Sequence, residues 1–323
     1  MTLILKRPTG AKLNLSSGNQ PAAIAGVAPT LDYRFARDKR EIEAVSLTDK
    51  LSYAGGNGTF IDSNGFIQRA TTNVPRFTHN PATRQSQGLL LENSATNLAS
   101  HSENLTTAAE GLGGNWLSLS TSVQPNAALS PAGLQDAEII TNSSVSYGNG
   151  IRYKAIPVAA VSYVFGIYLK AGSTSTATIF ANREVGVERA LTVCSLTSEW
   201  QRFSVVWTGT VSGNLFYHFG PGNPTDGTAT GSIQAWGAQL ETGSTLNTYI
   251  PTSSSAVTRT SDSAVIDGTG ILTGTYTMVE KPAGCAVISG TNINLQNGHT
   301  VERVMVFPAA LSAQQITDIR SAM

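Results

Sequence analysis

The sequence is short of charge. Only 13% of its 323 residues are Asp, Glu, Lys or Arg, about half the roughly 25% of an ordinary globular chain. The 21 basic residues are matched by 21 acidic ones, so the formal net charge is zero. A chain with no basic excess lacks the electrostatic footprint of a nucleic-acid binder. Cysteine is scarce too. Cys194 and Cys285 lie far apart with no CxxC spacing, and they read as two reduced thiols rather than a disulfide framework. The four histidines, His79, His101, His218 and His299, include no pair at metal-ligand spacing. GxSxG, the P-loop and a GxGxxG after a strand are all missing. These gaps leave no catalytic, cofactor or metal set to assign.

No apolar run reaches the 18 or so residues of a membrane span. Met1–Leu5 is apolar, but Lys6, Arg7 and Pro8 follow it. A secretory signal has the opposite order, so synthesis in the cytoplasm is expected. Disorder is excluded by 41% hydrophobic residues at zero net charge. Ser, Thr, Asn, Gln and Gly must therefore supply most of the polarity. Such a surface suits neutral partners, and near-zero net charge favours association.

Along the chain, residues 1–30 carry few large apolar side chains after Leu5 and many Gly and Pro. Too little apolar surface is available there to fold alone, so the segment reads as an arm lying on a neighbour. Leu3, Leu5, Lys6 and Arg7 are its candidate anchoring residues. Leu31, Tyr33 and Phe35 alternate with polar residues, as in an edge strand. Asn57-Gly58 and Asn64-Gly65 are hairpin-turn dipeptides. Asp62-Ser-Asn64-Gly65 has part of a calcium-loop pattern but lacks the downstream acids, so a plain turn is expected.

From about 103 to 262 the pattern is β. Tyr163, Phe165, Ile167 and Leu169 alternate, as do Phe203, Val205 and Trp207, and Leu215, Tyr217 and Phe219. In SIQAWGAQLE, Ile233, Ala235 and Gly237 oppose Trp236, Ala238 and Leu240. Short alternating strands between Gly/Ser/Thr/Asn/Pro clusters indicate a β-sandwich or jelly roll. Strand-like pieces recur at 285–289 and 303–307. PAALSAQQITDIRSAM then predicts a helix. Ser312 is its N-cap and Gln315 its N3 partner, with Leu311 and Ile316 as the matching staple.

Of the four tryptophans, Trp207 and Trp236 sit mid-strand and read as core. Trp116, in the Gly-rich stretch GLGGNW, is the candidate exposed platform for a sugar ring. Sugar rings stack their C–H faces on aromatic rings, and the neutral, amide-rich surface suits that. Glycoside hydrolysis needs two carboxylates about 5–10 Å apart. Asp136, Glu138, Glu184, Glu188 and Glu241 are scattered in sequence, which does not pair them.

Residues 70–105, ATTNVPRFTHNPATRQSQGLLLENSATNLASHSENL, resemble a segment common in tailed-bacteriophage structural proteins. GGNGTFIDSNGFIQRA (55–70) is similar to the hairpin before it. IYLKAG (167–172), EWQRFSVVW (199–207) and WGAQLETGSTLNTYIPTSSSAVTRTSD (236–262) resemble the carbohydrate-binding-module-like domain after it. VERVMVFPAALSAQQITDI (301–319) is similar to a closing strand and helix in such proteins. The likeness spans about 55–262. It implies a head-fibre, capsid-decoration or tail-fibre protein, with the WGAQLE strand structural rather than ligand-binding.

The expected fold is mainly β: a jelly-roll β-sandwich with an extended N-terminal arm and hairpin region, and a small C-terminal β region ending in one helix. The expected division is an arm and anchoring segment (1–50), a hairpin connector (51–102), the jelly roll (103–262) and the C-terminal β region (263–323). The expected role is a non-enzymatic structural protein of the virion exterior, anchored by its arm, whose jelly roll contacts neighbouring subunits or host glycan. The alternatives are a receptor-binding tail fibre or tailspike and, third, a glycan-degrading enzyme. Expected partners are other virion proteins, further copies of the chain (a trimer ahead of a dimer) and host surface glycan, with no nucleic acid, membrane, cofactor or metal.

Overall fold

The computed structural model describes residues 31–36, 51–106, 116–119, 121–143, 150–158, 161–183, 189–209, 213–223, 230–269, 272, 274–282, 284–307 and 310–323. The architecture is mainly β, as the alternating patterns require, and the helix Ala313–Ala322 closes the chain. The anchoring residues Leu3, Leu5, Lys6 and Arg7 lie outside the described residues.

The middle of the chain is a sandwich of two five-stranded antiparallel sheets. One runs Gln201–Thr208, Ser162–Ala171, Gly231–Thr242, Ala137–Asn142, Thr121–Ala128. The other runs Arg189–Ser195, Thr176–Arg183, Gly213–Pro221, Gly150–Val158, Trp116–Leu119. Period-2 alternation sends Phe165, Ile167, Leu169, Val205 and Trp207 inward from the first sheet. Ile179, Leu215, Tyr217 and Phe219 meet them from the second. Each large apolar chain so buried contributes about 1.5–3 kcal/mol.

The phase predicted for Gly231–Thr242 changes partway along. Ile233 and Ala235 join the sandwich core, and so do Ala238 and Leu240. Trp236 instead packs outside it with Ile67, Ala137 and Tyr249. Gly237 has φ +67°, and the register with Ser162–Ala171 slips between Gly166 and Tyr168. One extra residue at this bulge flips which side chains face in. Gly is needed there because an L side chain at positive φ is strained.

The segments on either side of the sandwich fold together. Leu51–Ala54 pairs with Ser263–Asp267, which pairs with Asn292–Asn294. Ser86–Leu91 lies between Phe77–His79 and His299–Val301. Leu31–Tyr33 is an edge strand on Arg303–Phe307, in the sheet that also holds Thr275–Lys281 and Gly284–Ser289. Their shared core includes Phe35, Leu89, Leu91, Ile266, Val301 and Val304. Ser312 caps the helix in a two-way capping box with Gln315. Ile319 anchors it against Val279, Met305 and Phe307.

Only one of the two turn dipeptides makes a hairpin. Thr59–Ile61 pairs with Ile67–Arg69 through Asn64-Gly65, where Gly65 takes φ +86°. Asp62 Oδ1 accepts from the Asn64 and Phe66 amides, 2.9 Å each, so this is a plain turn. Asn57-Gly58 corrects the expectation, since Leu51–Ala54 and Thr59–Ile61 do not pair with each other. Its glycines serve close approach. A Cβ on Gly58 would stand 2.8 Å from Arg76 Cζ and 2.9 Å from Arg259 Cδ, and one on Gly56 would stand 2.6 Å from the Thr260 amide nitrogen.

Candidate functional site

Residues of the segments 70–105 and 236–262 converge on a buried charge network. Arg76 Nη1 donates to Glu92 Oε2 at 2.7 Å and to the Thr59 carbonyl at 3.0 Å. Its Nη2 pairs with Asp262. Arg259 Nη1 meets Glu92 Oε2 at 2.9 Å and Thr248 Oγ1 at 3.0 Å. The Thr248 amide donates to Glu92 Oε1 at 3.1 Å, and its hydroxyl to Oε2 at 2.7 Å. Tyr53 donates to Asp262 at 2.8 Å. Both arginines have 0% exposure. Burial works to lower the pKa of Arg76, but Glu92, Tyr53 and Asp262 reverse this and raise it. Arg259, pulled down by burial and opposed by Glu92, ends lowered. Burial pushes the Tyr53 hydroxyl up to about 12, with Arg76 opposing and Asp262 adding.

Asn97 completes the clasp. Its amide nitrogen donates to the Ala238 and Ile250 carbonyls at 3.1 and 2.8 Å, and its oxygen accepts from the Ala99 and Leu240 amides at 3.0 and 2.9 Å. Gln239 accepts from the Ile250 amide at 2.6 Å, and Glu241 from the Asn247 side chain at 2.6 Å. These residues lock the connector onto one sandwich strand and the loop after it. Their role is to hold the fold together.

Trp116 is corrected as a platform. It is 1% exposed and joins the sandwich core, edge-on to Phe219 at 5.9 Å. Its indole N–H donates to the Ser100 and His101 carbonyls at 3.3 and 3.2 Å. Its position opening a strand turns the large ring inward, where burial is worth most. Trp207 and Trp236 are 2% and 1% exposed. Trp200 is the half-buried one. It closes the turn before Gln201–Thr208, and its N–H donates to the Leu129 carbonyl at 3.0 Å.

Trp200 stands in a groove of about 620 Å³ between the sandwich and the connector. The floor is the outer face of the first sheet, where Arg202 and Trp236 are the register neighbours of Tyr168. Arg202 lies over the Tyr168 ring, 5.2 Å from its centroid. Tyr168, Trp236 and Tyr249 pack at 4.8–6.2 Å and hold the floor rigid. One wall is the hairpin tip, with Asn64 and Phe66, the latter 44% exposed. The other is the turn Ser130–Pro131, tied to the hairpin by the Ile67 amide donating to the Pro131 carbonyl at 3.0 Å. Arg84 and Glu199 complete the rim. Volume and lining fit a small-ligand groove, apolar with a few placed polar groups.

Sequence reading missed these residues, but a signal existed. If Phe203 and Val205 face in, Arg202 must face out, and if Ile167 and Leu169 face in, Tyr168 must face out.

A second, smaller cavity of about 340 Å³ adjoins it past Ile67, lined in part by Arg69, Glu103, Asp136 and Trp236. Burial, with Asp136 and Glu103 adding and the Leu105 amide opposing, pushes Glu138 up to about 8. Glu138 is 1% exposed, so it has no open path to a substrate. Glu241 is spent on Asn247, and Glu184 and Glu188 lie outside the described residues. Among the described residues, no group of three or more His, Cys, Asp or Glu is placed to hold a metal ion. Cys194 is a free, buried thiol that burial pushes up to about 12.

No protein-family model matches the chain, and no curated protein matches it. Solved structures with similar folds include the CBM22-1 xylan-binding domain of Paenibacillus barcinonensis Xyn10C, at 15% identity and TM-score 0.33, covering 46% of this chain and 99% of that one. The tandem CBM22-1-CBM22-2 of the same protein gives 10% identity and TM-score 0.34 over 70% of this chain and 95% of that one. Tailspike protein 4 of bacteriophage CBA120 gives 11% and 0.31 over 46% of this chain and 21% of that one. At such scores these likenesses carry no weight for function.

Proposed function

We propose that the chain is a non-enzymatic surface protein of a tailed-bacteriophage particle, and that its groove binds glycan. The observation that carries the glycan reading is the groove itself. Trp200, Tyr168 and Phe66 offer ring surface for sugar C–H faces, and Asn64, Arg84 and Glu199 offer bonds to hydroxyls. Its floor is pre-formed by a packed aromatic layer, so little ordering entropy is lost on binding. The most perturbed carboxyl beside it is sealed from solvent, which favours binding over hydrolysis.

The virion reading rests on the phage-like residues of 55–262, several of which the clasp now accounts for. In it, the arm of residues 1–30 anchors the protein to capsid or tail subunits, the chain assembles as a homotrimer, and the groove faces outward. Retention of the protein on a glycan array tests the binding claim. Wild type is expected to bind, and Trp200→Ala to bind about ten-fold or more weakly. Equal binding by the two, or none by wild type, overturns it. Deleting residues 1–30 is expected to abolish incorporation into particles, and normal incorporation removes the anchor.

A further inference from the structure

Four Asn-Gly pairs occur in the sequence, at 57–58, 64–65, 149–150 and 297–298. Asn149 lies outside the described residues. Such a pair is reactive because glycine has no Cβ to shield its backbone nitrogen, which can close on the side-chain amide carbon before it. The fold treats the other three pairs differently. The Asn57 side-chain oxygen accepts from the Thr72 hydroxyl at 2.6 Å, and Gly58 after it is buried against Arg76 and Arg259. The Asn297 side-chain nitrogen donates to the Ser261 hydroxyl at 3.1 Å and to the Asp262 carbonyl. The Gly298 amide donates to the Leu91 carbonyl at 2.8 Å. Asn64 is exposed at the hairpin tip, and among the described residues nothing hydrogen-bonds to its side chain. The Gly65 amide donates only within the turn, to the Asp62 carbonyl at 3.0 Å. No tertiary hydrogen bond has to break to free that nitrogen.

We infer that Asn64 is a site of spontaneous deamidation, and that the fold selects it over Asn57 and Asn297. The Gly65 nitrogen loses its proton to water and attacks the Asn64 side-chain carbonyl carbon. The bond from that carbon to the side-chain nitrogen breaks, and ammonia leaves with a proton from water. A five-membered imide then joins the two residues. Water opens it at either carbonyl, giving aspartate or isoaspartate, with no oxidant, reductant or enzyme involved. The product sits on the groove wall. A neutral amide that donates and accepts becomes a carboxylate that only accepts. Isoaspartate also adds one carbon to the main chain, in a turn so close-packed that a Cβ on Gly65 would stand 2.7 Å from the Pro81 carbonyl oxygen. This chemistry is independent of what the groove binds.

The test is mass spectrometry of the full chain aged in mildly alkaline buffer, folded in one sample and unfolded in guanidinium chloride in another. Fragment ions must locate each converted residue, because Asn57 and Asn64 share the tryptic peptide 51–69. One hydrogen bond that has to break before reaction slows it about five-fold. In the folded chain, conversion of Asn64 is therefore expected to run about five-fold or more ahead of Asn57 and Asn297. In guanidinium, where those bonds are gone, the three rates are expected to converge. Asn57 or Asn297 keeping pace with Asn64 in the folded chain overturns the inference. So does an Asn64 that converts only in guanidinium. The same ranking in both samples overturns it too, since local sequence rather than the fold would then select the site.

Discussion

Replacing Glu92 by Gln keeps the shape of the side chain and removes its charge. Glu92 accepts from two guanidiniums and from both donors of Thr248, at 2.7–3.1 Å. After the change, two fully buried arginines share one carboxylate, Asp262. Breaking one partner out of a buried ion pair costs about 3–5 kcal/mol, chiefly because a charge is left unmatched. Each kcal/mol lowers the melting temperature of a domain of 150–250 residues by about 2–4 °C. A fall of about 6–20 °C is therefore expected in calorimetry. Arg259→Gln in the same background removes the surplus charge. The double variant is then expected to lose clearly less than the two single losses combined. A fall of under 2 °C for Glu92→Gln, or strict additivity, would refute the idea that this network clamps the connector to the sandwich.

Other expectations follow from the same packing. Trp116→Ala should cost about 3–5 kcal/mol of stability, read by urea denaturation, while leaving glycan binding intact below the transition. Gly58→Ala should lose about 1–3 kcal/mol by crowding the locked guanidinium of Arg76, read the same way. Glu138 binds its proton more tightly folded than unfolded. Its contribution is complete below about pH 4.5 and is lost as pH rises toward its folded value of about 8. Glu138→Gln should therefore flatten the decline in urea midpoint between pH 5 and 8 relative to wild type. Cys194 should resist a thiol reagent until the chain unfolds.

Much of the sandwich was legible because its strands obey period 2. Phe165, Ile167 and Leu169 face the core as their spacing requires, and the capping box at Ser312 and Gln315 forms as written. Trp236 was readable as structural, but its face was not, because the bulge at Gly237 depends on a tertiary register slip. Asn57-Gly58 has the local signature of a hairpin, yet its glycines answer to Arg76 and Arg259. Neither dipeptide statistics nor spacing reports a contact with Arg259 some 200 positions away. The groove was hidden for a related reason. Trp200, Tyr168, Phe66 and Arg202 come from three separate stretches, and only the clasp brings the hairpin over the sheet.

The central claim is that glycan binds in this groove, and hydrogen–deuterium exchange of the full chain with and without a bound array hit locates it. The account predicts slowed exchange confined to the hairpin tip 64–67, the turn 130–134 and the strand start 200–202. Protection elsewhere, with these three segments unchanged, would contradict it.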